Sequence, residues 1–503
     1  ALEARGEYLL FLDSEVSVLG RDWLKHLLNH ALRPEVGAVG PKIVKPDGAI
    51  YSAGLHLGLH GPATTPFEGL AGEDTGYLLR LQVDQNYSAL SGKCLMVRGE
   101  LFFAVGGFDE APDLAPWADV DLCLKLQQAG YLNVWTPRVK VLTTDEKVRP
   151  SSPEADAALY ARWLTVISQD PVQSPNVSLR GKGYELDVDF ASSWQPLDLR
   201  PVPVVVAVNP APGMPDSTKV QQRFSALKSA GLIDGVVSLS RPTLPELNRY
   251  TPDVLVLQYP VSEQTLSWLD TLNSLTQTFV VIEIDVPGPS VAGGENAFSA
   301  QTLRELQQCF DRVDRVVVAT HAMAKALTDM HPDIRVAPSR LAADAWGQLD
   351  GLRQTGVKPR VGYVSDRGQH ENLALIADVV RALADRVQWV FLGECPEALR
   401  GFVSEVHDEV VSREFPAKLA SLNLDLAVVP CNPSTARHHG SGLRLLEQAW
   451  NRTLPTRSLW HNEGMSCVQR FTGKAFGIRT RCGRWVAVGC QTECAGITET
   501  EQG

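Results

Sequence analysis

Two carboxylates one residue apart, Asp13 and Glu15, follow the apolar run Tyr8-Leu9-Leu10-Phe11-Leu12. Such a run reads as a short buried parallel strand. Its loop would then emerge at the carboxyl edge of an open α/β sheet, where these sheets bind ligands. At alternate positions of an extended chain the two side chains point the same way. Two hard oxygen donors so placed can hold a divalent cation that also touches phosphate. The same residues also suit a strand that ends in a helix-capping Asp-Ser pair, so the pair takes its meaning from the chain around it. A second acidic pair, Asp119 and Asp121, opens a helical stretch that starts near Trp117 and stops at Gly130.

The elements that must position these groups follow in order. The spacing of Trp23, Leu24, Leu27, Leu28 and Ala31 predicts a helix over 22–32, and 36–39 reads as a strand. Pro46-Asp47-Gly48 is a tight turn, and 61–78, rich in Gly, Pro and Thr, reads as a mobile loop. A strand runs through Tyr131, Val134 and Trp135. Residues 150 to about 200 are rich in Pro and Ser and read as a connector wrapping the first domain. Strands then alternate with helices. Strands are expected at 202–208, 254–257, 279–284 and 316–318, and again at 359–364, 389–392 and 424–429, with helices near 224–230, 303–310 and 373–383. This is a doubly wound α/β pattern.

At 503 residues the length suggests about three domains. A composition 44% hydrophobic and 21% charged is that of a soluble globular chain, and a net charge of −11 argues against nucleic acid as a partner. No apolar run approaches the roughly 18 residues that span a bilayer, and no signal peptide opens the chain. Cys94, Cys123, Cys309, Cys395 and Cys431 sit singly in apolar surroundings and read as reduced core residues of a cytoplasmic protein. Cys467, Cys482, Cys490 and Cys494 lack the close pairing of structural zinc sites. There is no phosphate-binding GxxxxGK[ST] loop, HExxH or GxSxG.

Six segments carry a resemblance: the acidic pair after its strand, Val36-Gly37-Ala38-Val39-Gly40-Pro41-Lys42-Ile43, the Pro46-Asp47-Gly48 turn with Ala53-Gly54, Ser91-Gly92-Lys93-Cys94-Leu95-Met96-Val97-Arg98, Val105-Gly106-Gly107-Phe108-Asp109-Glu110 and Asp119-Val120-Asp121-Leu122-Cys123-Leu124-Lys125-Leu126. In this order, over residues 7 to about 142, they resemble the second half of a family 2 glycosyltransferase of GT-A fold. Asp170-Pro171 and Pro175-Asn176-Val177-Ser178-Leu179 look like the tail of bacterial members acting on surface polysaccharide. The resemblance implies that Asp13 and Glu15 bind a divalent metal, Mn or Mg, against the donor diphosphate. It implies that Asp119 is the general base of a direct, inverting displacement. Asp121 would orient neighbours or cap the helix. Two positions depart from the family: Ala118 stands where a second acid is usual, and Thr143 where a metal-binding His is common. The family's nucleoside-binding strands precede the acidic pair, so a further segment is expected upstream of Ala1 and an open sheet edge where it would lie.

Further on, Arg241-Pro242, Pro252-Asp253-Val254, Asp314-Arg315-Val316-Val317-Val318, Lys358-Pro359-Arg360-Val361-Gly362-Tyr363, Leu422-Asn423-Leu424-Asp425-Leu426-Ala427 and Leu443-Arg444-Leu445-Leu446-Glu447 resemble a family 4 glycosyltransferase of GT-B type fused behind the first domain. The expected layout is a partial GT-A domain at 1–149, a connector at 150–200, two Rossmann-like units at 201–346 and 347–466 in GT-B arrangement, and an atypical tail at 467–503. The resemblance implies donor contacts from His370, Arg444 and Glu447, the last on ribose hydroxyls, and no cofactor for this part. Gly440 stands where a phosphate-binding Lys is usual, and beyond Asn451 the texture suggests a reading-frame change or a truncated end.

The expected protein is a hexosyl-transferring enzyme of bacterial cell-surface polysaccharide synthesis. It would use a nucleotide-sugar donor and a glycan or lipid-linked glycan acceptor, in the cytoplasm or peripherally at the inner face of the membrane. The alternative is a catalytically degenerate binding or scaffold protein, which Ala118, Thr143 and Gly440 favour.

Overall fold

The computed structural model describes residues 3–145, 152–187, 200–208, 217–259, 261–284, 300–319, 321–338, 346, 358–364, 376–410 and 414–429, with the strands Cys467–Arg470, Phe476–Arg479 and Trp485–Val488. The chain divides into two compact units. The first is Ala1–Val208 with Ala230–Val256 and Val261–Phe279; the second is Asn209–Ser229, Leu257–Pro260 and Val280–Gly503.

The first unit is built on β1 (Tyr8–Leu12), β2 (Val16–Leu19), α1 (Trp23–Ala31), β3 (Val36–Val44), β4 (Ile50–Ser52), β5 (His56–Leu57), β6 (Ala63–Thr64), β7 (Gln85–Tyr87), β8 (Cys94–Arg98), α2 (Gly99–Ala104), α3 (Ala118–Gln128), β9 (Leu132–Thr143) and α4 (Pro153–Ser168). Among the described residues these give a seven-stranded sheet, in order β1-β8-β3-β9-β2, with β4 added beside β3 and β7 beside β9. The nine-residue strand β3 is buried throughout. Its Val39 and Ile43 pack with Leu27 and Ala31 of α1, Met96 of β8, and Val134 and Val141 of β9. Burying each such side chain contributes about 1.5–3 kcal/mol before the entropy of ordering is subtracted.

Strand β1 corrects the opening expectation. It lies at the end of the sheet order, runs antiparallel to β8 with Leu12 opposite Cys94, and buries only Leu9 of its five residues. Its run is apolar because both faces are engaged: Phe11 packs against Phe102 and Phe108, with ring centroids 5.2 and 4.8 Å away. The sheet still directs β1 correctly. Strand β8 is antiparallel to both β1 and β3, and β3 is parallel to β9. The carboxyl ends of β1, β3 and β9 therefore share one edge with the amino end of β8.

Two stretches are more ordered than composition suggested. Residues 61–78, expected as a mobile loop, include β6 and bury Thr65 and Phe67. The buried Lys42 ammonium ties this segment down by donating to the Gly72 and Leu81 carbonyls at 3.0 and 3.2 Å. The Pro- and Ser-rich stretch after 150 includes a 16-residue helix, α4, started by Ser152, whose hydroxyl accepts the Ala155 N–H at 3.2 Å, with Pro153 at the first helical position. Leu159, Leu164 and Ile167 bury one side of it. The segment after it is held by Arg249, which donates to the Ser168 and Val177 carbonyls at 2.6 Å each.

The rest of the first unit holds β10 (Val204–Val208) between β11 (Asp234–Ser238) and β12 (Val254–Gln258), all parallel. In the second unit β13 (Phe279–Ile284), β14 (Arg315–Val318) and β15 (Ile334–Val336) run parallel. There too β16 (Arg360–Val364) lies between β17 (Gln388–Leu392) and β19 (Leu426–Val429), with β18 (Glu405–His407) outside β17. The fold is thus α/β with Rossmann-like parallel sheets, as the alternation predicted. The aspartates at 253, 314 and 425 serve one device. Each precedes a strand and accepts an N–H near the start of the parallel neighbour: Val204 at 2.8, Val280 at 2.7 and Arg360 at 2.9 Å. They satisfy amides that the sheet's amino edge leaves open. Cys94, Cys123, Cys309 and Cys395 are free and buried, as expected.

Beneath the 61–78 segment, His56 is buried with its Nε2 2.7 Å from the Gln173 amide nitrogen. That bond and a backbone partner at Gly183 assign the neutral ring with its proton on Nδ1. Burial, with the nearby Arg80 charge, lowers its pKa from 6.5 to about 3. A histidine depressed in the fold supplies stability that is complete above the unfolded value and is lost as pH falls from 6.5 toward 3. The full effect is on the order of 5 kcal/mol. Urea titrations between pH 7 and 4 are expected to show a smaller acid loss for His56→Gln than for wild type; equal slopes would contradict the assignment.

Candidate functional site

Asp13 lies one residue beyond β1. Its N–H donates to the Lys93 carbonyl at 2.9 Å, so the β1–β8 ladder runs on by one pair. Residues opposite each other in an antiparallel pair share a face. The Lys93 ammonium accordingly stands 3.5 Å from Asp13 Oδ2. Glu15 is not in extended alternation with Asp13, as the sequence suggested. A turn intervenes, closed by the Glu15 N–H on Asp13 Oδ1 at 2.9 Å. Both carboxylates nevertheless face one group, since Glu15 Oε2 lies 4.0 Å from Lys93 Nζ.

The third carboxylate was not foreseen. Strand β2 pairs antiparallel with β9, Val16 opposite Thr143, which returns the chain after β9 to this corner. Asp145 Oδ2 lies 3.1 Å from Lys93 Nζ. Thr143, expected to be a weak replacement for a metal-binding His, is fully buried, and its hydroxyl accepts the Asp145 N–H at 3.3 Å. Thr143 thus sets the turn, and the anionic group comes two residues later. Lys93 was legible only as a member of a recognised segment, and Asp145 only as a residue beyond one; strand pairing is what gives them a role.

Asp119 reaches the same loop from α3. Its Oδ2 accepts the Gly92 N–H at 2.7 Å and its Oδ1 the Val120 N–H at 2.8 Å. It is not the helix cap: that position belongs to Trp117, and Asp119 lies in the first helical turn, where the helix dipole favours a carboxylate. A Cβ on Gly92 would sit 3.0 Å from Asp119 Cβ, so glycine is what allows this approach. Since Gly92 and Lys93 are adjacent, Asp13, Glu15, Asp145 and Asp119 gather about one loop at the carboxyl edge of the sheet.

Asp121 fixes the helix beneath. It is wholly buried, and its Oδ1 accepts Trp163 Nε1 at 2.9 Å and Arg162 Nη1 at 3.4 Å, both from α4. Lys125 Nζ is 2.7 Å from Asp121 Oδ2, an ion-pair distance without hydrogen-bond alignment. Arg162 also holds Asp109 at 2.7 Å, which keeps the Asp109 carboxyl below its usual range, chiefly through the Ala111 N–H and then this guanidinium.

Carboxylate oxygens suit a hard cation such as Mg or Mn. Among the described residues no three His, Cys, Asp or Glu side chains stand grouped to hold a metal ion, and the spacing is set for the Lys93 ammonium. His370, Arg444, Glu447 and Gly440 lie outside the described residues. No described helix is long and apolar enough to cross a membrane.

The class this defines is an α/β chain with an acidic site at a sheet's carboxyl edge. Among known proteins, no family model matches. The uncharacterized protein y4gI of Sinorhizobium fredii is 38% identical over 193 residues, 37% of this chain and 21% of that protein. The O-antigen biosynthesis protein RfbC of Myxococcus xanthus is 34% identical over 189 residues, 36% of this chain and 14% of its own. An N-acetylglucosaminyl-diphospho-decaprenol L-rhamnosyltransferase of Mycobacterium tuberculosis is 38% identical over 125 residues, 23% of this chain and 40% of that one. The chain thus spans less than half the length of these curated relatives. Among solved structures, a sucrose-phosphate synthase from Thermosynechococcus elongatus overlaps 45% of this chain and 74% of its own at 13% identity with a TM-score of 0.30, too slight to argue from.

The Asp121 network gives a stability expectation. Asp121→Asn removes a buried charge facing Lys125 and Arg162 and should cost about 2–3 kcal/mol, discounted for the partly exposed guanidinium. Urea unfolding of the two proteins reads it; a loss near zero would show that α3 is held by apolar packing alone.

Proposed function

We propose that the chain is a glycosyltransferase that moves a hexosyl group from a nucleotide-sugar donor to a glycan or lipid-linked glycan in bacterial cell-surface polysaccharide synthesis. The supporting observation is the gathering of Asp13, Glu15, Asp145 and Asp119 around the 91–93 loop. The names borne by the O-antigen and rhamnosyltransferase relatives support the same reading. Residues 1–149 are read as the second half of a GT-A domain. The following Rossmann-like units are read as a GT-B pair using His370, Arg444 and Glu447 for the donor. A place in the cytoplasm, peripheral to the inner face of the membrane, follows from a lipid-linked acceptor.

Transfer needs two things from the site: neutralisation of the departing diphosphate and removal of the acceptor hydroxyl's proton. In this reading Asp13 and Glu15 would hold a divalent metal, Mn or Mg, which would supply the first as a Lewis acid. Asp119 takes the proton. The Gly92 and Val120 amides orient its carboxylate beside the loop. Gly92 also stops any side chain from filling the space beside the base. Beside Ala118, Thr143 and Gly440, the scaffold alternative draws on the Lys93 charge already set among the acids.

Calorimetry with nucleoside diphosphates, with and without Mn, separates these readings. Metal-dependent binding weakened by on the order of tenfold or more in Asp13→Ala is expected for the enzyme. Heats indifferent to both metal and substitution would reject it.

A further inference from the structure

Two leucines stand out from the first unit on a backbone that ordinary side chains avoid. Leu78 and Leu79, in the turn Tyr77–Gln82, have φ of 50° and 63°, and they are 78% and 60% exposed. Residues with a side chain seldom adopt this left-handed region, and where they do the surroundings hold them there. Here both flanks are fastened. Before the leucines, the Gly76 N–H donates to Asp74 Oδ1 at 2.7 Å, and the Tyr77 ring stacks on Tyr184 with centroids 4.8 Å apart. After them, Leu81 is buried. Its N–H donates to the Thr75 carbonyl at 3.1 Å, and its own carbonyl accepts from the Lys42 ammonium, which also donates to the Gly72 carbonyl. The chain between must bulge outward, and no burial of the two side chains offsets the strain.

The bulge lies toward the sheet edge that carries the acidic corner. Gly72 donates to the Gly48 carbonyl at 2.8 Å, in the turn that follows β3. Strand β7 runs antiparallel to β9, Gln85 opposite Trp135, so the residues before it extend toward the carboxyl end of β9. Charges at the base of the bulge are paired: Glu73 with Lys140, and Asp84 with Arg138 at 3.8 Å. Exposed Val83, beside Asp84, widens the apolar surface. We propose that Tyr77, Leu78 and Leu79 form a tip that enters the surface of a lipid bilayer and holds this sheet edge near a lipid-linked acceptor. The inference rests on reading the acceptor as lipid-linked. An apolar tip on a charge-balanced base selects the occupant. Leucine side chains suit hydrocarbon, a tyrosine suits its boundary with water, and paired charges complement those of zwitterionic headgroups. The chain's net charge of −11 works against an anionic surface.

Flotation with phosphatidylcholine vesicles tests it on the full chain, as wild type and as the double variant Leu78→Asn/Leu79→Asn. Asparagine is polar and tolerates the left-handed backbone, so the variant is expected to fold with a urea midpoint at or above that of wild type. Wild type is expected to bind the vesicles, and the variant on the order of tenfold or more weakly, since two leucines no longer leave water. Replacing part of the phosphatidylcholine by phosphatidylglycerol is expected not to strengthen binding. A wild type that ignores neutral vesicles, equal binding by the two proteins, or binding that needs the anionic lipid overturns the proposal. Sedimentation without lipid in which wild type self-associates and the variant does not assigns the tip to a second copy, and overturns it as well. Metal-dependent nucleotide binding that persists without vesicle binding sinks the tip and leaves the glycosyltransferase reading standing. Vesicle binding without any nucleotide binding supports the tip and counts against the transferase.

Discussion

The bond from the Gly92 amide to Asp119 is the contact on which the geometry of the first unit turns. It joins the start of α3 to the loop that opens β8, and a side chain at residue 92 would press on Asp119 Cβ from 3.0 Å. One residue later, Lys93 faces the end of β1 and the segment after β9. The sheet supplies the rest through direction alone: two antiparallel steps and one parallel step bring the ends of β1, β3 and β9 to the edge where β8 begins. The helix can come up to that edge because the residue it meets there has no Cβ.

Such a corner costs stability, and the structure offsets the cost underneath it. Carboxylates around one ammonium repel each other at short range, and a solvent-facing pair recovers little. The compensation lies in α4. Trp163 and Arg162 hold the buried Asp121 of α3, and Trp117, just before that helix, donates from Nε1 to Asp156 at 2.9 Å. Arg249 then secures the chain leaving α4. The charged edge can remain unoptimised for folding because the face of α3 away from it is fastened by groups with well-placed partners.

How far the sequence disclosed this depended on the range of each interaction. Asp13, Glu15 and Asp119 were legible because each follows or opens an element with its own local signature. The helical spacing of α1 and the apolar runs of β10, β13 and β16 were legible for the same reason. Strand β1 was found but its neighbours were misjudged: an apolar run reports that both faces are covered, and Phe102 and Phe108 can cover a face as well as a helix layer does. Helix α4 was hidden by composition, since the Pro and Ser that suggested a connector are its first-turn residue and its cap. Asp145 could not be found from spacing, because only the pairing of β2 with β9 carries it to Lys93.

The Rossmann-like sheets give the complementary case. Asp253, Asp314 and Asp425 fall within segments that resemble a nucleotide-sugar enzyme, yet the carboxylate of each accepts an amide near the start of a neighbouring strand. Ligands of such sheets bind at the carboxyl ends of the strands, and these three stand at the opposite ends. A residue can therefore carry a family likeness because it sets strand register and have no contact with chemistry. In the first unit the same residue type, placed after a strand rather than before one, stands at the edge where ligands bind. Position relative to strand direction, more than residue identity, separates the aspartates that build these sheets from those that can act on a substrate.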